Sequence, residues 1–330
     1  MPRSTTSTGL VIAVVAALTF GLSGAFAKPL LEAGWSPAAA VTVRSLVGGL
    51  VLTPFAAVAL RGRWSALWRN RWRVVATGAI GVAATQLTYF AALERVPVGT
   101  AILLEYMAPL LLVAVAWARS RRRPQSLVLI GSVVALVGLV LVVAPGSGVA
   151  LDPIGLLFAV GAMIGCAIYY VVAAAPPNGL PAVALAAFGL LLGAASLALA
   201  GVVRLVPFKA PLGDVALFGS PVAWWVPVVV IGVVATAIAY TANIAAAERL
   251  GSRLASFAGL LEVVAATFYA WLLLGERLTV PQLLGGGAIL VGIACVRAAR
   301  SDALTATLPT TLDQTPTGSV PIVPTPAQPA

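Results

Sequence analysis

The sequence predicts an all-α membrane protein with ten transmembrane helices in two inverted five-helix repeats. Three observations predict it. Of 330 residues, 61% are hydrophobic and only 9% charged, against roughly 25% charged in soluble domains. The apolar residues fall into ten runs of about the length that crosses a bilayer core. The second half of the chain then repeats the first at a nearly constant offset.

The runs cover residues 9–27, 38–60, 74–93, 98–118, 127–144, 154–174, 182–203, 222–246, 254–274 and 283–296. In lipid every backbone polar group must be satisfied internally. Runs this long and this uniformly apolar are therefore helices and not barrel strands. Residues 1–8 read as a cytoplasmic tail and 9–145 as the first repeat. Residues 146–300 form the second repeat, and 301–330, rich in Thr, Pro and Ala, read as a disordered cytoplasmic tail. The first run is full-length and reads as a retained span, not as a cleaved leader.

Basic residues set the orientation. With the N-terminus inside, 14 of them fall on the cytoplasmic side, among them Arg61, Arg63, Arg69, Arg71, Arg73, Arg119, Arg121, Arg122 and Arg123. The other side keeps five: Lys28, Arg95, Arg204, Lys209 and Arg277. Both termini are then cytoplasmic. The same asymmetry accounts for the formal charge of +10 without nucleic acid. Between the second and third runs, Trp64, Trp68 and Trp72 recur every four residues among arginines. Such a stripe suits a helix lying at the headgroup level of the bilayer.

The repeat is fixed at several places. Glu105 and Glu262 are 157 apart (262 − 105), as are Pro124-Gln125 and Pro281-Gln282 (281 − 124). Gly81-Val82-Ala83-Ala84-Thr85 with Tyr89 returns at 151 as Gly232-Val233-Val234-Ala235-Thr236 with Tyr240. Leu136-Val137-Gly138 returns at 154 as Leu290-Val291-Gly292. Five spans per copy is an odd number, so the copies enter the membrane with opposite orientation. Secondary transporters use that arrangement, with substrate held near the midplane between the halves.

Several stretches also resemble the EamA family of the drug/metabolite transporter superfamily over about residues 10–296. They are Gly21-Leu22-Ser23-Gly24 leading to Lys28-Pro29, Arg44 in the second run, and Pro109 in the fourth. Ala167-Ile168-Tyr169-Tyr170 and Leu273-Leu274-Gly275-Glu276-Arg277-Leu278 complete the set. The first copy departs from the last segment, with Arg119-Ser120 standing where Glu276-Arg277 would be expected. The resemblance implies a ten-helix inner-membrane carrier of small metabolites, often an exporter of amino acids or related compounds.

The candidate site starts from the two carboxylates. An ionisable group inside a span costs ~3 kcal/mol or more, so it is a functional candidate by default. Glu105 and Glu262 are read as groups that bind substrate or take up and release a proton. A structural ion pair is the competing reading, with Arg44 as partner for Glu105 and Asn243 or Arg253 for Glu262. Arg44, with Lys28 beside it on the outer side, would suit a substrate carboxylate, although Lys28 could equally snorkel to the interface. Tyr89, Tyr240, Gln86 and Asn243 are placed to hydrogen-bond a substrate, and the resemblance adds Tyr169 and Tyr170. Pro109, which removes a backbone hydrogen bond four residues after Glu105, is a candidate gating point.

The chain has no histidine, which removes Ser-His-Asp and Cys-His nucleophilic systems and most zinc sites. Cys166 and Cys295 show no metal-binding or redox spacing, and no Walker loop is present. No cofactor is expected. The expected partners are a small-molecule substrate, protons and the lipid bilayer, and the sequence leaves oligomeric state open, a homodimer included. The expected function is alternating-access secondary transport of a small polar metabolite, in the efflux direction. An exporter of drug-like organic compounds is the alternative, followed by a lipid flippase or membrane enzyme.

Overall fold

A computed structural model describes residues 3–121, 123–143, 152–173 and 178–306. Among them, seven helical segments are long and apolar enough to cross a membrane, and three shorter apolar helices lie at 126–142, 260–274 and 280–296. Together the ten coincide with the ten apolar runs. The first two are α1 (Arg3–Glu32) and α2 (Pro37–Ala59), with Ser36 capping α2 through a hydrogen bond accepted from the Ala39 N–H and proline at its first position. α1 begins inside the stretch read as an N-terminal tail.

Short helices α3 (Trp64–Arg69) and α4 (Arg71–Ala76) carry the tryptophan stripe. α4 continues as a π-helical segment, Thr77–Ala84, into α5 (Thr85–Leu93), the three forming one rod. The fourth run is not one helix. α6 (Val98–Glu105) ends at a turn, and α7 (Ala108–Ser120) starts with Pro109 near its N-terminus. The proline thus marks the restart of the helix, where its missing N–H is tolerated. Helices α8 (Ser126–Val143), α9 (Pro153–Ala173) and α10 (Ala182–Val202) follow.

The all-α expectation misses one feature. An antiparallel hairpin, β1 (Val215–Leu217) and β2 (Ser220–Val222), precedes α11 (Trp225–Val229). Its loop residues Phe218 and Gly219 both have positive φ, 53° and 81°, the signature of a tight two-residue turn. The loop before the hairpin is pinned to the α1–α2 turn. Trp35 donates through Nε1 to the Pro211 carbonyl at 2.8 Å, and Ser36 and Lys209 exchange backbone and hydroxyl bonds.

A second π segment, Val230–Ile238, joins α11 to α12 (Ala239–Leu274), and α13 (Val280–Ala306) closes the chain, running past the residue at which a tail was expected. α12 is helical throughout its 36 residues, where two spans and a loop are predicted. Its path nevertheless folds back. Tyr240 stacks edge-on against Phe20 at 5.1 Å, while a Cβ on neighbouring Gly21 would lie 2.7 Å from that of Ala265. In a straight helix residues 240 and 265 would stand roughly 37 Å apart.

Small residues set the closest packing. α8 and α13 run antiparallel, and a Cβ at Gly138 would lie 2.5 Å from the Gly285 carbonyl oxygen, while one at Gly131 would lie 2.7 Å from that of Gly292. Only glycine allows the two backbones so near each other. Several hydroxyls inside the spans are returned to their own helices. Thr42, Thr53, Ser132, Ser196 and Thr241 each donate to the carbonyl four residues back at 2.7–2.8 Å. The outward faces, such as Ile130, Val133, Val137 and Val140 of α8, are exposed and apolar, as a lipid-facing surface requires.

Candidate functional site

The two π segments occupy matching places in the repeat, and each is followed by residues predicted for the site. Each has near its C-terminal end a threonine, Thr85 just after the first and Thr236 within the second, whose hydroxyl donates to the carbonyl five residues back. Thr85 reaches Ile80 and Thr236 reaches Ile231, each at 2.7 Å. Such segments are rare in helices and tend to occur at functional sites. Beyond them come Gln86 and Tyr89 in one half and Tyr240 and Asn243 in the other.

These side chains line a cavity of about 190 Å³ in the middle of the helix assembly. Glu105, Glu262, Arg44, Gln86, Tyr89, Tyr169, Tyr170, Tyr240 and Asn243 all face it. Nine of the predicted site residues, from α2, α5, α6, α9 and α12, therefore converge on one space. Glu105 stands at the last position of α6, where the helix breaks at the turn before Pro109. Pro109 itself is buried away from the cavity lining, one turn farther on.

Arg44 is 6% exposed and held on several sides. Its Nε–H donates to Thr236 Oγ1 at 3.0 Å and Nη1 donates to Gln86 Oε1 at 2.8 Å, with the Phe90 ring 5.5 Å from the guanidinium. Thr236 can accept because its own proton is committed to the Ile231 carbonyl. The Arg44–Glu105 ion pair of the competing structural reading is not made. Among the described residues the two ion pairs are Lys28–Glu276 and Arg95–Asp152. Neutral partners saturate only part of the guanidinium fork, so Arg44 contributes a fixed positive charge to the cavity wall.

Glu262 accepts a hydrogen bond from a residue not predicted for the site. The Tyr106 hydroxyl donates to its Oε2 at 2.6 Å, across 156 residues of sequence. The Arg253 side chain lies outside the described residues, and Asn243 lines the cavity without a hydrogen bond to Glu262 among those described. Lys28 departs from the predicted site as well. It points away from the cavity and pairs with Glu276 at 2.6 Å, partly buried. Glu276 also accepts the Val98 N–H with both oxygens, at 3.0 and 3.2 Å. One carboxylate thus caps the positive end of α6 and ties it to α1 and to the end of α12. This use gives the Leu-Gly-Glu-Arg segment a structural reason.

Sequence reasoning missed Tyr106, Thr236, Ser23 and Thr85. Ser23 is buried with no hydrogen-bond partner for its hydroxyl and faces the cavity. Tyr106 follows Glu105 directly, a signal available in the sequence. Thr236 ends the repeated Gly-Val-Val-Ala-Thr element, so the repeat itself marked it.

Comparisons with known proteins bear on the family and the fold. The chain is 26% identical over 303 residues to the uncharacterized inner membrane transporter YicL of Salmonella typhimurium (strain LT2), covering 88% of this chain and 95% of that one. A solved crystal structure of a protein 23% identical covers 90% of this chain and 99% of its own, with a TM-score of 0.57, a likeness that bears on the fold alone. Residues 7–144 and 153–298 match the EamA-like transporter family, one half-chain each. The chain belongs to the EamA-like transporter family, and its multi-pass helical body is that of a membrane transporter.

Proposed function

We propose that the protein is a secondary active transporter that exports a small polar metabolite, an amino acid or related compound, across the cytoplasmic membrane by alternating access. The observation that carries this reading is the convergence of Glu105 and Tyr106 from the first half with Glu262 from the second around one cavity that also holds Arg44. A guanidinium faces a substrate carboxylate, and a carboxylate faces an ammonium or gives way to a proton. Glu105 and Glu262 are the exchange groups, and Tyr89, Tyr169, Tyr170, Tyr240, Gln86 and Asn243 orient the substrate.

Two inverted five-helix halves are part of the proposal. The α8–α13 contact supports them. Under the 154-residue offset Gly131 becomes Gly285 and Gly292 becomes Gly138, so the contact Gly131–Gly292 maps onto the contact Gly285–Gly138. A contact that exchanges its partners in this way is what a two-fold relation produces. The excess of basic residues on one side supports cytoplasmic termini.

An exporter of drug-like organic compounds is the second reading, favoured by the tyrosine-rich lining. The volume of about 190 Å³ argues against it, since drug-sized sites span ~300–1,000 Å³. A thermal-shift screen of the purified protein against amino acids, sugars, nucleosides and aromatic cations separates the two. A hit confined to zwitterionic metabolites supports the first. In proteoliposomes containing that hit, Glu105→Gln is expected to abolish pH-gradient-driven transport while the protein stays folded. Unchanged transport would sink the proton-exchange reading.

A further inference from the structure

The tryptophan stripe is not part of the central cavity, and the structure gives it a second partner. α3 and α4 lie across the end of α10, enclosing a groove of about 540 Å³. Its mouth is formed by Trp64, Trp68 and Arg71. Its floor runs down α10 from Phe188 to Ala195, roughly 10 Å at 1.5 Å per residue. Trp64 packs edge-on against Phe188 at 6.4 Å and closes one side.

Arg71 is positioned before any ligand arrives. Its guanidinium lies 5.3 Å from the Trp68 ring and 5.8 Å from the Trp72 ring, and Nη1 donates to the Trp68 carbonyl at 3.3 Å. The remaining donors of the fork are exposed, as are Trp68 and Trp72, each at 72%. Arg61, Arg63, Arg69 and Arg73 flank it in sequence, and no acidic residue occurs between Glu32 and Glu94. A forked cation fixed between two rings is suited to a phosphate. The apolar trough beneath it is suited to a hydrocarbon chain.

We infer that this groove binds one anionic phospholipid, its phosphate on Arg71 and one acyl chain along Phe188, Leu191 and Ala195. Charge complementarity and depth argue for that occupant. The polar mouth sits at the end of a span and the floor within one, so the groove changes from cationic to apolar as a phospholipid changes from phosphate to chain. A neutral lipid would leave the guanidinium unused, and a soluble phosphate would leave the trough empty.

The test is native mass spectrometry of the delipidated full-length protein with equimolar phosphatidylglycerol and phosphatidylcholine of identical chains. The wild type is expected to retain one phosphatidylglycerol in preference. Arg71→Gln should cut that preference by about fivefold, and Arg71→Lys by less. Ala195→Trp should lower retention of both lipids by filling the trough. Arg121→Gln, an exposed cation elsewhere, should change nothing. Equal loss in Arg71→Gln and Arg121→Gln would overturn the site in favour of diffuse surface charge. Competition by millimolar glycerol 3-phosphate as strong as that by the lipid would overturn the acyl-chain half. A wild type without preference would overturn the whole.

Discussion

At the scale of single residues, what decides the site is which polar groups find partners inside the membrane and which face the cavity. Tyr106→Phe removes the hydroxyl that bonds Glu262. A hydrogen bond to a charged acceptor contributes ~1.5–3 kcal/mol, so the variant should melt at a lower temperature and bind substrate more weakly, read by thermal shift and by equilibrium binding. Arg44→Lys keeps the charge and loses the fork that serves Thr236 and Gln86 together, and a clear fall in substrate affinity with little loss of expression is expected. Outside the membrane, Asp152 accepts from Arg95 and from the Ile154 N–H, and these bonds hold its carboxyl below the usual carboxylate range. The stabilisation is therefore present above the ordinary aspartate pKa and is lost as pH falls through the lowered one. Arg95→Gln should return the Asp152 titration toward 3.8, as a pH titration followed by carbonyl NMR would register. The two glutamates were legible as carboxylates in runs of membrane length. Arg44 was legible as a buried cation, but its partners were not. Thr236 is 192 residues away, and nothing in an ordinary threonine announces an arginine.

At the scale of elements, helix ends carry most of what the pattern of hydrophobic residues left open. Pro109 predicted a break in the fourth run, and the break came three residues earlier, at Tyr106, because proline tolerates the first turn of a new helix better than the interior of an old one. The π segments have the composition of any apolar helix, so periodicity could not find them. The repeated Gly-Val-X-Ala-Thr element was the available signal. The Glu276 lock is testable here. Glu276→Gln weakens bonds to Lys28 and Val98 together, and the double change with Lys28→Met should cost less than the sum of the two, as a double-mutant cycle in denaturation would show. Gly285→Ala places a methyl 2.5 Å from the Gly138 carbonyl. Overpacking of this kind costs ~1–3 kcal/mol, and a matching loss of thermal stability is expected.

For the molecule as a whole, the apolar runs made a mostly helical, multi-pass body readable from composition and length. The β-hairpin was hidden because its strands occupy only six residues between two apolar runs. The unbroken helicity of α12 was hidden for the opposite reason, since a loop was expected wherever arginines cluster. Orientation is directly measurable. In a background lacking Cys166 and Cys295, Ser220→Cys should react with a membrane-impermeant maleimide on intact cells, and Ser65→Cys only after the membrane is opened. The reverse pattern would place the arginine-rich face outside.

The π segments also have a consequence for angular phase. An α-helix turns 100° per residue, and each π segment carries its extra residue before the cavity side chains of its rod: Gln86 and Tyr89 in one, Tyr240 and Asn243 in the other. Winding Thr77–Ala84 as ordinary α-helix with all of its residues kept would swing Gln86 and Tyr89 by about one residue's rotation, ~100°, toward neighbouring helices or lipid. The hydrophobic pattern would hardly change, and the span would still cross the bilayer. What would be lost is the aim of the polar residues, which depends on winding as much as on the residues themselves.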